Sequence, residues 1–152
     1  MYQDLLFYHS IFRWLVLASL VVAIFLAARG YRTKAVFRKT DNAVRHWTAT
    51  IAHVQLVIGI LLYSQSPLIK YFWANFSAAV RNLDAAFFGL IHIVLMLTAL
   101  VLITIGSALA RRKQTDREKF RTMLVWFTIA LGIILIAIPW PFSPFANRPY
   151  IR

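Results

Sequence analysis

The sequence predicts an all-α integral membrane protein: an up-down four-helix bundle with both termini outside (N-out, C-out) and a short interfacial helix between helices 2 and 3. Three observations lead there. Hydrophobic residues make up 61% of the 152 residues, well above the share in soluble domains. They gather in four blocks, at 11–28, 47–63, 85–110 and 122–138. Each block is close to or above the ~20 residues that an α-helix needs to cross hydrocarbon, and aromatic flanks lengthen the second and fourth. Finally, 12 of the 17 basic residues lie in 29–45 and 111–121, the first and third connections. That asymmetry places both connections in the cytoplasm by the positive-inside rule. A soluble chain would need a partner for four helices that are apolar all round.

The elements follow in order, as one domain over 1–152 with spans at about 5–28, 42–63, 83–109 and 116–138. The flank before the first block carries Asp4 and no lysine or arginine, so a retained helix is expected rather than a cleaved signal. Gly30 is expected to end helix 1. Thr40 or Asp41 is expected to cap helix 2, which "SQSP" at 64–67 stops. The segment 67–82 carries Tyr71, Phe72, Trp73 and Phe76. Such aromatic density reads as a short helix at the outer headgroup level, with an irregular loop as the alternative. Thr115 and Glu118 form a capping box opening helix 4. Pro139 and Pro141 end it, and the proline- and aromatic-rich tail is expected to fold along the outer surface. Short connections make neighbouring helices antiparallel.

Charge and composition remove several function classes. The net charge of +12 is split between two connections, which suits the lipid bilayer and its anionic headgroups and argues against nucleic acid. There are no cysteines, hence no disulfide, thiolate metal site or covalent haem. HExxH, P-loop and GxSxG motifs are absent, and no carboxylate falls inside the four blocks. A proton-driven pump or transporter would be expected to carry one.

Polar groups inside hydrocarbon cost several kcal/mol unless paired or hydrated, so the few present are the candidate site. They are His9, Arg13, His53, Gln55 and His92. His46, beside Arg45 at the cytoplasmic mouth, reads as interfacial. His9 and Arg13, four apart, share a helix face. Arg13 either snorkels outward or binds an anionic group such as a haem propionate or a quinone oxygen. Ala85, Gly89, Ala99 and Gly106 mark a small-residue face of helix 3 that turns His92 inward. Gln55 lies about 200° round helix 2 from His53 and is expected to hydrogen-bond between helices.

Two inward histidines on antiparallel helices suit the axial positions of a b-type haem. His53 with His92 is the first pairing to consider, and His9 with His92 the alternative. Interhelical hydrogen bonding by each histidine is the plainer reading.

The runs "HSIFRWLVL" (9–17), "HVQLVIGILLYSQSP" (53–67), "VLITIGSA" (101–108) and "IPWPF" (138–142) resemble a family of small four-span membrane proteins of Bacteroidota labelled cytochrome b-like. The resemblance covers nearly the whole chain. It implies a bacterial inner-membrane protein, with the family's histidines falling on His9, His53 and His92 and with Arg13 and Trp14 beside the first. The family usually has an acidic residue directly before the third histidine; Ile91 stands there in this chain.

The expected function is therefore one-electron transfer through non-covalent haem b held by His53 and His92. His9 and Arg13 would hold propionates or a quinone. The rival is a cofactor-free accessory subunit of a larger membrane complex.

Overall fold

A computed structural model describes residues 1–146 and 148–151. Among them every regular element is helical. Helix α1 spans Tyr2–Thr33, α2 Lys39–Gln65, α3 Pro67–Ala74, α4 Phe76–Ala79 and α5 Leu83–Ala86; a π-helical turn, Phe87–Ile91, leads directly into α6 His92–Arg112, and α7 is Asp116–Ala137. Four stretches are long and apolar enough to cross a membrane: α1, α2, the continuous run Leu83–Arg112, and α7.

These four pack as a bundle in which α1 lies against α2 and α7, and α6 lies against α7 and α2. The seam follows helical spacing. α1 buries Val16, Leu20, Ala23, Ala27 and Gly30; α7 buries Phe120, Met123, Phe127, Ala130, Ile134 and Ala137; α6 buries Ala99, Ile103, Gly106 and Ala110. Alternating steps of three and four keep one stripe of each helix facing its neighbours. The outward faces of the spans remain apolar, with Val21, Val22, Phe25, Val57, Ile60, Val101 and Ile136 all exposed. This is the surface of a multi-pass membrane protein, in which helices associate by close packing rather than by hiding from water.

Three boundaries differ from the sequence expectation. Gly30 does not end α1. The helix continues to Thr33 and closes on Lys34 in the left-handed conformation, φ 52°, whose N–H bonds Gly30 O. Gly30 is instead a packing residue: a Cβ there would meet the Phe120 ring. Helix α2 begins earlier than Thr40 or Asp41, with Arg38 as its N-cap. The Asp41 carboxylate reaches back to accept the Arg38 N–H at 2.8 Å, half of a capping box. The third span is not one uniform α-helix, because the π turn interrupts it just before His92. The Thr115–Glu118 capping box opens α7 as expected, with the Thr115 hydroxyl accepting the Glu118 N–H at 3.2 Å and Glu118 accepting the Thr115 N–H at 3.3 Å.

Segment 67–82 is helical in two short pieces, α3 and α4. Pro67 occupies the first turn of α3, and Ser66 accepts the Ile69 N–H, an arrangement that suits proline because the first N–H groups of a helix are unbonded anyway. Phe72 is fully buried while Tyr71, Trp73 and Phe76 are exposed.

The described part of the tail folds back over the same end. Arg148 reaches Asp84 at 2.5 Å and lies 4.8 Å over the Phe88 ring. Phe145 stacks on Phe87, with ring centres 6.3 Å apart. Trp140 and Tyr150 pack around Trp14.

Candidate functional site

At that end, α1, α2, α3, α6, the end of α7 and both ends of the described tail line a half-open cavity of about 220 Å³. Its wall is mostly apolar, including Leu6, Leu56, Ile93, Met96 and Ile138, and its polar groups include His9, Arg13, Gln55, Tyr63, His92 and a second guanidinium, Arg148. An apolar cavity with a few convergent polar groups is the usual form of a ligand site.

The histidine rings of His9 and His92 face each other across helices, with centres 6.3 Å apart and planes at 66°. His92 is fixed by α7: its Nδ1–H donates to Ala137 O at 2.8 Å. That bond leaves the other nitrogen, Nε2, carrying a lone pair. Ala137 ends α7, so its carbonyl lacks a helical partner and is open to this donor. His9 is held by α2, where Gln55 Nε2 donates to His9 O at 3.0 Å and stands 3.2 Å from His9 Nδ1. Gly59 makes room for the His9 ring, since a Cβ there would stand 3.3 Å from its Cε1.

Arg13 is one turn below His9 on the same face. Its Nη2 donates to Tyr150 O, and Trp14 Nε1 approaches the same carbonyl at 3.4 Å. Arg13 thus turns toward the tail and cavity rather than outward to lipid. Among the described residues neither its buried Nε nor Gln55 Oε1 has a hydrogen-bond partner. Two orphaned polar atoms on the wall of one cavity are the kind of exception that an occupant would satisfy.

The π turn sets the height of His92. Each π turn widens the helix by one residue and leaves carbonyls poorly paired. Here Tyr63 on α2 donates its hydroxyl to Gly89 O at 2.8 Å, and Trp73 Nε1 donates to Tyr63 at 2.9 Å. Gly89 admits Phe72, whose ring would meet any Cβ at that position at 2.5 Å. So α3, although outside the spans, braces the turn that carries His92. Tyr63→Phe is expected to destabilise the protein by about 1–3 kcal/mol, because it leaves the part-buried Gly89 carbonyl without its hydroxyl partner. Unfolding in a mild detergent, followed by tryptophan fluorescence, measures it.

His53 does not join this site, which corrects the first pairing considered from sequence. Its ring turns back on its own helix, with Nδ1 2.7 Å from Ala49 O, and Nε2 meets Thr104 Oγ1 at 3.3 Å. Thr104 lies twelve residues beyond His92 on α6, roughly 18 Å along the axis at 1.5 Å per residue. His53 lines a different recess with Arg45 and His46. The helix register that Tyr63 and Gly89 fix therefore puts His53 far below His92. The alternative pair, His9 with His92, is the one brought together. Gln55, expected only to bridge helices, does bridge α2 to α1, and it lands on His9 itself. Tyr63 gave no sign in the sequence beyond being a tyrosine at a helix end.

Among the described residues no group of three or more histidine, cysteine, aspartate or glutamate side chains gathers to bind a bare metal ion. No known protein family, curated protein or solved structure matches the chain significantly.

Proposed function

We propose that the chain is a multi-pass protein of the bacterial inner membrane, N-out and C-out, whose outer-end cavity holds one non-covalent haem b between His9 and His92. The observation that carries this reading is the 6.3 Å between their ring centres. His9 and His92 would hold the group between them, each through one ring nitrogen. The residues present fit the group in two further ways. The His92 bond to Ala137 O leaves Nε2 as a ligand nitrogen, the arrangement that usually orients a ligating histidine. Arg13 brings a buried, unpartnered Nε to the same wall, suited to a propionate.

Bound there, a b-type haem supplies one-electron transfer. The chain's own residues do the rest. His92 would hold it from α6 through Nε2, His9 would hold it from α1 through Nε2 once Gln55 turned its amide so that Oε1 accepted the His9 Nδ1–H, Arg13 would neutralise a carboxylate, and the apolar wall would keep water away. The resemblance to cytochrome b-like proteins agrees with this reading.

A second reading rests on the Gln55 amide and the cavity's size. If Gln55 Nε2 donates to His9 Nδ1, then His9 carries its proton on Nε2 while His92 Nε2 carries a lone pair. A hydroxyl oxygen between them would accept from one and donate to the other, as a quinol does. The cavity of about 220 Å³ takes a single substituted ring as it stands, whereas a haem would have to part the side chains that line it, since ligands of that size occupy sites of ~300–1,000 Å³.

Titration of the purified chain with haem b separates the two. The haem reading expects a Soret band that saturates at one haem per chain and sharp reduced α/β bands, lost in His9→Ala and retained in His53→Ala. A chain that stays colourless but is stabilised by a short-tailed quinol favours the second reading. One that takes neither supports an accessory role in a larger complex.

The orientation rests on the basic connections. An alkaline phosphatase fused at the C-terminus is expected to be active, and one fused in the 111–115 connection inactive. The reverse pattern overturns N-out, C-out.

A further inference from the structure

The opposite end of the bundle holds a second recess, of about 250 Å³, lined by Arg45, His46, His53, Thr104, Ser107, Arg111 and Arg112 among others. Its deepest cation is Arg45, only 6% exposed. Arg45 Nε donates to Asn42 Oδ1 at 3.1 Å, and Nη1 donates to Ser107 O at 3.0 Å and Ser107 Oγ at 2.5 Å. All of these acceptors are neutral. A buried guanidinium normally has a carboxylate, because neutral partners satisfy its hydrogen bonds but not its charge.

Among the described residues no carboxylate pairs with it. The chain contains five acidic residues, and each is engaged elsewhere. Asp4 pairs with the N-terminal amine, Asp84 with Arg148 and Asp116 with Lys119. Asp41 caps the Arg38 N–H, and Glu118 caps Thr115. Three arginines thus line one recess, and among the described residues no carboxylate pairs with any of them and Arg45 Nη2 has no acceptor. The Ser107 hydroxyl, accepting from Arg45, still has its own proton to donate.

We propose that this recess binds a phosphate oxyanion, with Arg45 as the preset floor and Arg111 and Arg112 closing over it from the end of α6. Arginine forks match phosphate oxygens two at a time. The site lies at the polar end of two spans, so the phosphate of an anionic lipid headgroup reaches it from the bilayer and a free phosphate reaches it from water. The proposal is independent of what the cavity around His92 holds.

The test uses the full chain in a neutral detergent at constant ionic strength. Thermal unfolding is followed while phosphatidylglycerol, phosphatidylcholine or inorganic phosphate is added, with chloride as the control anion. Saturable stabilisation is expected from phosphatidylglycerol or from inorganic phosphate. Action by the lipid alone identifies the membrane as the source, and action by inorganic phosphate at equal or lower concentration identifies a soluble one. Arg111→Gln with Arg112→Gln is expected to weaken the apparent affinity about tenfold or more, as the loss of two charge-assisted contacts implies. Arg29→Gln with Arg32→Gln, on the other basic connection and outside the recess, is expected to leave it unchanged. Arg45 itself is left intact because its replacement would disturb folding. The site is disproved if neither phosphate source stabilises the chain, or if both double variants respond alike, which would reduce the effect to general charge.

Discussion

Protein carrying His92→Ala is expected to purify without haem and to fail to take it up, with affinity reduced on the order of 100-fold or more. Loss of a residue that merely orients a ligand already costs ~10–100-fold, and His92 is proposed as the ligand itself. The substitution also frees the Ala137 carbonyl that His92 now satisfies at 2.8 Å, a cost of about 1–3 kcal/mol in stability. His92→Gln separates the two effects. Its amide offers a donor to that carbonyl but no imidazole to an iron, so stability should be partly restored and haem affinity should not. Equal haem uptake by His92→Ala and the unmodified chain would remove His92 from the site.

The largest purely structural effect is expected at Gly106. A Cβ at this position would collide with Cβ and Cγ of Trp126, the first of which cannot move without the α7 backbone. Gly106→Ala should therefore cost about 1–3 kcal/mol, in the range of overpacked cores, despite the better helix propensity of alanine. Gly132, also on α7, has nothing within 4 Å of the same hypothetical atom. Gly132→Ala should be neutral or stabilise by up to about 1 kcal/mol. Unfolding of both variants in one detergent measures the contrast. Equal behaviour would mean that α6 and α7 do not approach as closely as described.

The fold was readable where physics acts along a single helix. Four spans follow from lengths of apolar sequence that hydrocarbon imposes, and the start of α7 follows from Thr115 and Glu118, a local hydrogen-bond pattern. Gly30 was misleading because glycine serves two purposes: it frees the backbone at a helix end, and it makes room for a neighbour. Only the position of Phe120 on a distant helix decides between them.

The site was half readable for the same reason. His9, Arg13 and His92 are costly in hydrocarbon, and the four-residue spacing of the first two puts them on one face. Which histidines meet depends on how α2 slides against α6. That register is fixed by Tyr63 on Gly89 and by the π turn, and neither leaves a periodic trace in the sequence. Apolar periodicity alone does not fix the relative depth of His53 and His92. The Thr104 contact puts them three helical turns apart. Gln55 points away from His53, and that direction is what lets it bridge to α1 and brings it to His9.

The most direct test of the His9–His92 pairing is low-temperature electron paramagnetic resonance of the ferric haem complex. Two imidazole ligands give a low-spin signal, and one gives a high-spin signal. The expected result is a low-spin spectrum for the unmodified chain and for His53→Ala, and a high-spin or haem-free sample for His9→Ala. A low-spin spectrum that survives His9→Ala but disappears in His53→Ala would contradict the pairing.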